Sequence, residues 1–123
     1  MRERSYGSAK TVWLDREQIL AETRRAVTKL GKDHPEISRV ILFGSMASGD
    51  AAPGSDVDLM VEVDETDIRF LDRSLAYRVD GVSIGVDVFV YTRAEVEQMV
   101  ADNAGIPPVA LKDGLVLFQR DAG

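Results

Sequence analysis

Cysteine is absent from this chain of 123 residues, so no disulfide framework can staple it and no thiolate can act as nucleophile or metal ligand. That fits a reducing compartment, and a cytoplasmic location is expected. Histidine occurs once, as His34 beside Pro35 in a polar stretch, and is read as solvated rather than as a ligand. Tryptophan also occurs once, and Trp13 reads as a packing anchor beside the first helix rather than a base-stacking platform. No apolar run approaches the roughly 18 residues that a membrane-spanning helix needs. Met1 to Lys10 is polar and basic and offers no signal-peptide core. Positive charge is scarce: 15 Lys and Arg stand against 21 Asp and Glu, a net charge of −6, with no basic stripe. Such a surface repels a long polyanion, so stable nucleic-acid binding is not expected. A nucleotide held through metal ions stays open, because the cations bring the positive charge.

What is present is ordinary for a globular domain: 45% apolar and 29% charged residues. The length implies a single domain over 1–123, with residues 1–12 as a loose arm. Asp15 can cap a helix, with Gln18 completing a capping box, and Ile19, Thr23, Ala26 and Leu30 recur at helical spacing until Gly31 stops them. A first helix from about Arg16 to Leu30 follows. Val40 to Phe43 reads as a strand, Met46 to Gly49 as a short helical turn, and Pro53-Gly54 as a turn. Val57 to Val63 alternates as a second strand, and Asp64 to Asp67 is a polar connection. Ile68, Leu71, Leu75 and Val79 at helical spacing predict a second helix to about Arg78. Val86 to Tyr91 is the third strand. Thr92 and Glu95 form a capping box for a third helix with Val96, Met99 and Val100 inward, which Pro107-Pro108 prevents from continuing. Val109 to Lys112 reads as one more helical turn, and Leu115 to Phe118 as a last short strand. The fold class is therefore α/β (α+β): a single mixed sheet of about four strands with helices packed mainly on one face.

Two stretches and one lone acid carry the chemistry. Gly44 has no side chain, so a phosphate could approach the backbone, and Ser45 offers a hydroxyl where a short helix begins. A plain strand-to-helix turn would use the same residues. Asp56 and Asp58, two apart on a strand, point the same way and repel one another unless something positive lies between them. A divalent cation with oxygen ligands is the usual answer; a loop acid and a solvent-facing acid would be the alternative. Asp87 sits in the apolar run Gly85 to Val90, where a carboxylate needs a partner. If the second and third strands are neighbours, it lies beside Asp56 and Asp58.

The order and spacing of Gly44-Ser45, Asp56-x-Asp58 and a lone acid in a later apolar strand resemble the nucleotidyltransferase superfamily that includes DNA polymerase beta. Within it the chain is similar to the minimal nucleotidyltransferases, small proteins often paired as antitoxin with a HEPN-domain toxin. The resemblance covers roughly Ile37 to Tyr91. It implies that Gly44, Ser45 and Ser55 hold the nucleotide phosphates, that Asp56 and Asp58 bind two Mg²⁺ ions, and that Asp87 completes the metal site and acts as base. The implied reaction moves a nucleoside monophosphate from ATP, or another nucleoside triphosphate, to a hydroxyl of a partner protein such as a HEPN toxin. The family's run after the serine ends in Ala-Arg-Gly; here it is Ala47-Ser48-Gly49, so Ser48 stands in place of a guanidinium. That departure keeps open a second reading, a binding module that neutralises a toxin by occlusion. A small-molecule nucleotidyltransferase of the aminoglycoside-modifying kind would need a second, substrate-binding domain. Tyr77 and Tyr91 could accept an adenylyl group in self-modification, although packing roles are expected of them.

Overall fold

The protein is described here by a computed structural model covering residues 15–52 and 54–120. The expected arm over 1–12, Trp13 and Pro53 lie outside the described residues. The first helix, α1, spans Arg16–Asp33. Asp15 caps it by accepting the Gln18 N–H at 3.0 Å, but the Gln18 side chain reaches forward to Glu22, so the box is only half made. Gly31 does not end α1. It is buried within the last turn because the Phe118 ring lies where a Cβ would stand, 2.5 Å away. His34 closes the helix by donating its backbone N–H to Leu30 O.

Four strands follow: β1 (Ile37–Phe43), β2 (Val57–Val63), β3 (Val86–Thr92) and β4 (Leu115–Gln119). They form one mixed sheet in the order β3-β2-β1-β4, with β1 antiparallel to both β2 and β4 and β2 parallel to β3. Strand alternation divides the core. Val40, Leu42, Val57, Leu59, Val61, Val63 and Val90 face the side covered by Ile19, Val27 and Leu30 of α1. Ile41, Met60, Tyr91, Phe43 and Phe89 face the other side. There they meet Val96 and Met99 of α4 (Arg93–Ala101) and Ile106 and Ala110 of α5 (Ile106–Asp113). On that second face Arg39 pairs with a buried Glu62 across the β1–β2 ladder. None of the helices among the described residues is long and apolar enough to cross a membrane.

Two short helices complete the chain, α2 (Ser45–Ser48) after β1 and α3 (Phe70–Ala76) before β3. The expected apolar spacing of α3 is not its buried face. Ile68 and Val79, which flank it, pack on the core, but Leu71 is 82% and Leu75 72% exposed. Arg73 is buried instead, donating to Ile68 O and Val90 O and pairing with Glu95 at 2.7 Å. Charge-assisted bonds to a strand carbonyl and a carboxylate satisfy the buried guanidinium and fix which face of the helix turns inward. Val100, expected inward, is also exposed, because α4 ends one residue later. Pro107-Pro108 opens α5 rather than merely ending α4, in a first turn where the N–H groups that proline lacks would have no partner in the helix.

Candidate active site

At the end of β1 the chain turns through Gly44, whose φ of +79° and ψ of −158° are open essentially to glycine alone. A Cβ there would stand 2.5 Å from Asp58 Oδ2, so the missing side chain also makes room for that carboxylate. Ser45 is the first residue of α2, where backbone N–H groups have no partner within the helix. Ala47 and Ser48 N–H groups return to Gly44 O. The Ser48 hydroxyl donates to Ser45 O at 3.3 Å and lies 3.1 Å from Asp50 Oδ2, so it folds back on its own turn. Arg16 donates to Met46 O and Ala47 O, tying the start of α1 to α2. Ser55 closes the following loop: its hydroxyl accepts the Ala52 N–H at 3.0 Å, and its own N–H donates to Ala52 O.

The neighbouring strands bring two of the acids side by side. Asp58 and Asp87 are direct partners in the parallel β2–β3 ladder and share a sheet face with Phe43 and Phe89. Asp58 is also the antiparallel partner of Phe43, the residue before the glycine turn. Asp56, exposed and just before β2, lies over Gly85, where a Cβ would stand 2.8 Å from its Oδ1. Gly85 is thus a second position where the lack of a side chain makes room for an acid. Sequence reading passed over it; a glycine two residues before an acid in an apolar strand was the available signal.

Burial raises the Asp58 pKa, and the negative charges of Asp87 and Asp56 push it the same way. The carboxylates do not converge as the side chains stand: no group of three or more Asp, Glu or His side chains among the described residues is close enough to hold a metal ion. Asp58 rests against Gly44 and Asp56 against Gly85. The donor set nonetheless fits a hard divalent cation, being all carboxylate oxygen at the open end of one sheet face. A cation there would relieve the repulsion that Asp58 feels.

The remaining polar residues have structural partners. Tyr77 is 2% exposed and donates to Glu36 Oε2 at 2.5 Å; burial and then this bond push its pKa up to about 12. Tyr91 is buried too, which raises its pKa. Both rings are buried, in keeping with the packing roles expected. His34 is not free in solvent as expected, since its ring is tilted on that of Tyr77 at 4.8 Å and lies 3.6 Å from Glu36.

Sheet order and helix placement define an α/β scaffold: a crystal structure of a "putative nucleotidyltransferase" from Sulfolobus solfataricus shares the fold with a TM-score of 0.60 at 20% identity. The match covers 88% of this chain and 86% of that one, and at such identity it shows the fold alone. The chain belongs to the nucleotidyltransferase domain family, whose pattern matches residues 20–106 and so spans Gly44 to Asp87. It is also 34% identical over 71 residues to "Putative protein adenylyltransferase MJ1379" of Methanocaldococcus jannaschii, covering 50% of this chain and 71% of that protein. A toxin-antitoxin crystal structure with AMP-PNP superposes at a TM-score of 0.45 and 20% identity, over 79% of this chain and 73% of that one, too loosely to carry an argument.

Proposed function

We propose that this nucleotidyltransferase transfers AMP from ATP to a hydroxyl of a partner protein. The observation that carries the reading is the placement of Asp58 between the Gly44 turn and Asp87 at one open sheet end. The acceptor oxygen would form a bond to the α-phosphorus, the bond from that phosphorus to the bridging oxygen would break, and pyrophosphate would leave. Asp87 would receive the acceptor proton, directly or through one water. Asp56, Asp58 and Asp87 would hold two Mg²⁺ ions, which supply charge neutralisation at the attacking and leaving oxygens when bound. Gly44 and Ser45 would meet the phosphates with backbone N–H groups and a hydroxyl, and Ser55 would fix the loop that carries Asp56.

The relative from Methanocaldococcus jannaschii, named for protein adenylylation, supports a polypeptide acceptor. We infer a HEPN-domain toxin as that partner and an antitoxin role for this chain, from the motif resemblance. A second reading has one observation in its favour. Ser48, where the family pattern has arginine, turns its hydroxyl back onto α2 and offers no cation to a phosphate. A chain weakened in this way would neutralise its partner by binding.

Calorimetric titration of ATP with Mg²⁺ into the native chain and into an Asp56→Asn/Asp58→Asn variant tests the proposal. Metal-dependent binding that the variant loses is expected. No binding to the native chain, with Mn²⁺ and other triphosphates also tried, would favour the binding module.

A further inference from the structure

β3 is an edge strand, and its outer edge is open at one end and closed at the other. The Val57 N–H donates to Gly85 O, so odd-numbered residues of this strand turn their backbone groups toward β2. By alternation, Val86, Val88 and Val90 turn theirs outward. Val90 O is taken by Arg73 of α3 at 3.3 Å. At Val86 and Val88 no partner bonds to these outward groups among the described residues.

The open stretch borders a groove of about 410 Å³. Ser74, Leu75, Arg78 and Val79 line it on the α3 side, and Val86, Asp87, Val88 and Phe89 on the strand side, so its walls are largely apolar with Arg78 and Asp87 as the charged members. Leu75 is itself exposed, as is Leu71 one turn earlier on α3. A row of free N–H and C=O groups beside apolar walls is a template for one more strand.

We propose that the acceptor docks here as an extended polypeptide segment that adds a strand to β3 at Val86–Val88 and sets a hydroxyl side chain opposite Asp87. The proposal rests on the transfer reading above and names its acceptor's form. A residue paired with Asp87 points to the same sheet face, where Asp58 also lies. Its two neighbours point to the other face, toward Val86, Val88 and Val79. The segment therefore reads apolar–hydroxyl–apolar, in Ser, Thr or Tyr flanked by Val, Ile or Leu. A polynucleotide has no amides to offer the edge, and the net charge of −6 repels it. The capping of Val90 O by Arg73 ends the added strand and fixes its register.

An array of nine-residue peptides tests this, with Ser, Thr or Tyr at the centre and either aliphatic or charged flanks, probed with the labelled full chain. Binding to the aliphatic-flanked hydroxyl peptides is expected, with amide exchange slowed at Val86 and Val88. The best peptide should bind at least tenfold more weakly to Val88→Pro and Leu75→Glu variants. It should weaken equally when N-methylated at the residues beside its hydroxyl, a change that leaves the protein untouched. Equal binding of the N-methylated peptide, protection at β4 instead of β3, or no peptide bound would overturn the proposal. With ATP and Mg²⁺ present, labelled AMP on the bound peptide supports both readings. A peptide that docks as described but stays unlabelled leaves the docking standing and counts against transfer.

Discussion

Asp58→Asn should make the protein more stable and functionally dead at once. Asp58 is half-buried at the sheet end, and its ladder partner Asp87 is on the adjacent strand. Neighbouring strands lie about 4.8 Å apart, and two like charges at roughly 5 Å repel by about 1 kcal/mol in water and about 3 kcal/mol at an effective dielectric of 20. Both side chains reach solvent, so the lower end applies, near 1 kcal/mol. Asparagine keeps the shape that fits against Gly44 and removes the charge. For a domain of this size the gain corresponds to a melting temperature higher by about 3–6 °C.

The same substitution should flatten the pH dependence. A carboxyl whose pKa is raised by folding binds its proton more tightly in the native state, so the native chain loses stability as pH rises from the ordinary carboxylate range through the raised Asp58 pKa. The variant lacks that decline. Scanning calorimetry between pH 4 and pH 8, with and without Mg²⁺ and ATP, reads all of this. Ligand at about 100 times its dissociation constant should stabilise the native chain by roughly 2.7 kcal/mol and leave the variant unmoved. A less stable variant, or one still stabilised by Mg²⁺ and ATP, would refute the assignment of Asp58 as an uncompensated acid awaiting a cation.

Three further outcomes are expected. Gly85→Ala should change stability by no more than about 0.5 kcal/mol, because the displaced Asp56 carboxylate can swing away, yet weaken Mg²⁺-dependent ATP binding about tenfold by calorimetry. Ser48→Arg should tighten ATP binding by about 10- to 100-fold, since one charge-assisted bond contributes roughly 1.5–3 kcal/mol; unchanged affinity would show that the serine is no defect. Arg73→Met should cost about 2–3 kcal/mol in urea unfolding, somewhat below the usual figure for breaking a buried ion pair because Glu95 retains 40% side-chain exposure.

The strands were readable because their apolar residues alternate, and β2 holds the boundaries Val57–Val63 that the pattern implied. The capping box of Thr92 and Glu95 was equally plain, since both of its bonds are local. Failures came where a distant partner decided. Gly31 reads as a stop, but Phe118 from β4 needs its space inside α1. Leu71 and Leu75 read as a buried stripe, but Arg73 finds a carbonyl on β3 and a carboxylate on α4, and turns the helix over. At the site, the acids were legible from their spacing, and the β2–β3 pairing that sets Asp58 beside Asp87 was stated only as a condition. The role of Gly85 depends on that pairing, so its spacing before Asp87 marks the position without giving the acid that occupies its space.

The β1–β2 ladder carries an acid on the same face at each end, and the two are treated differently. Glu62 has Arg39 opposite and is neutralised within the core, whereas Asp58 has Phe43 opposite and no cation across the ladder. The sheet face thus runs from a paired acid to an unpaired one along a single strand, with the buried Met60 between them. If the acids hold cations as proposed, the asymmetry would act as a funnel, drawing small cations toward the Asp58 rim and not toward the Glu62 rim. On the reading proposed above, long anions would be repelled by the same acids, and a nucleotide would enter together with its counterions.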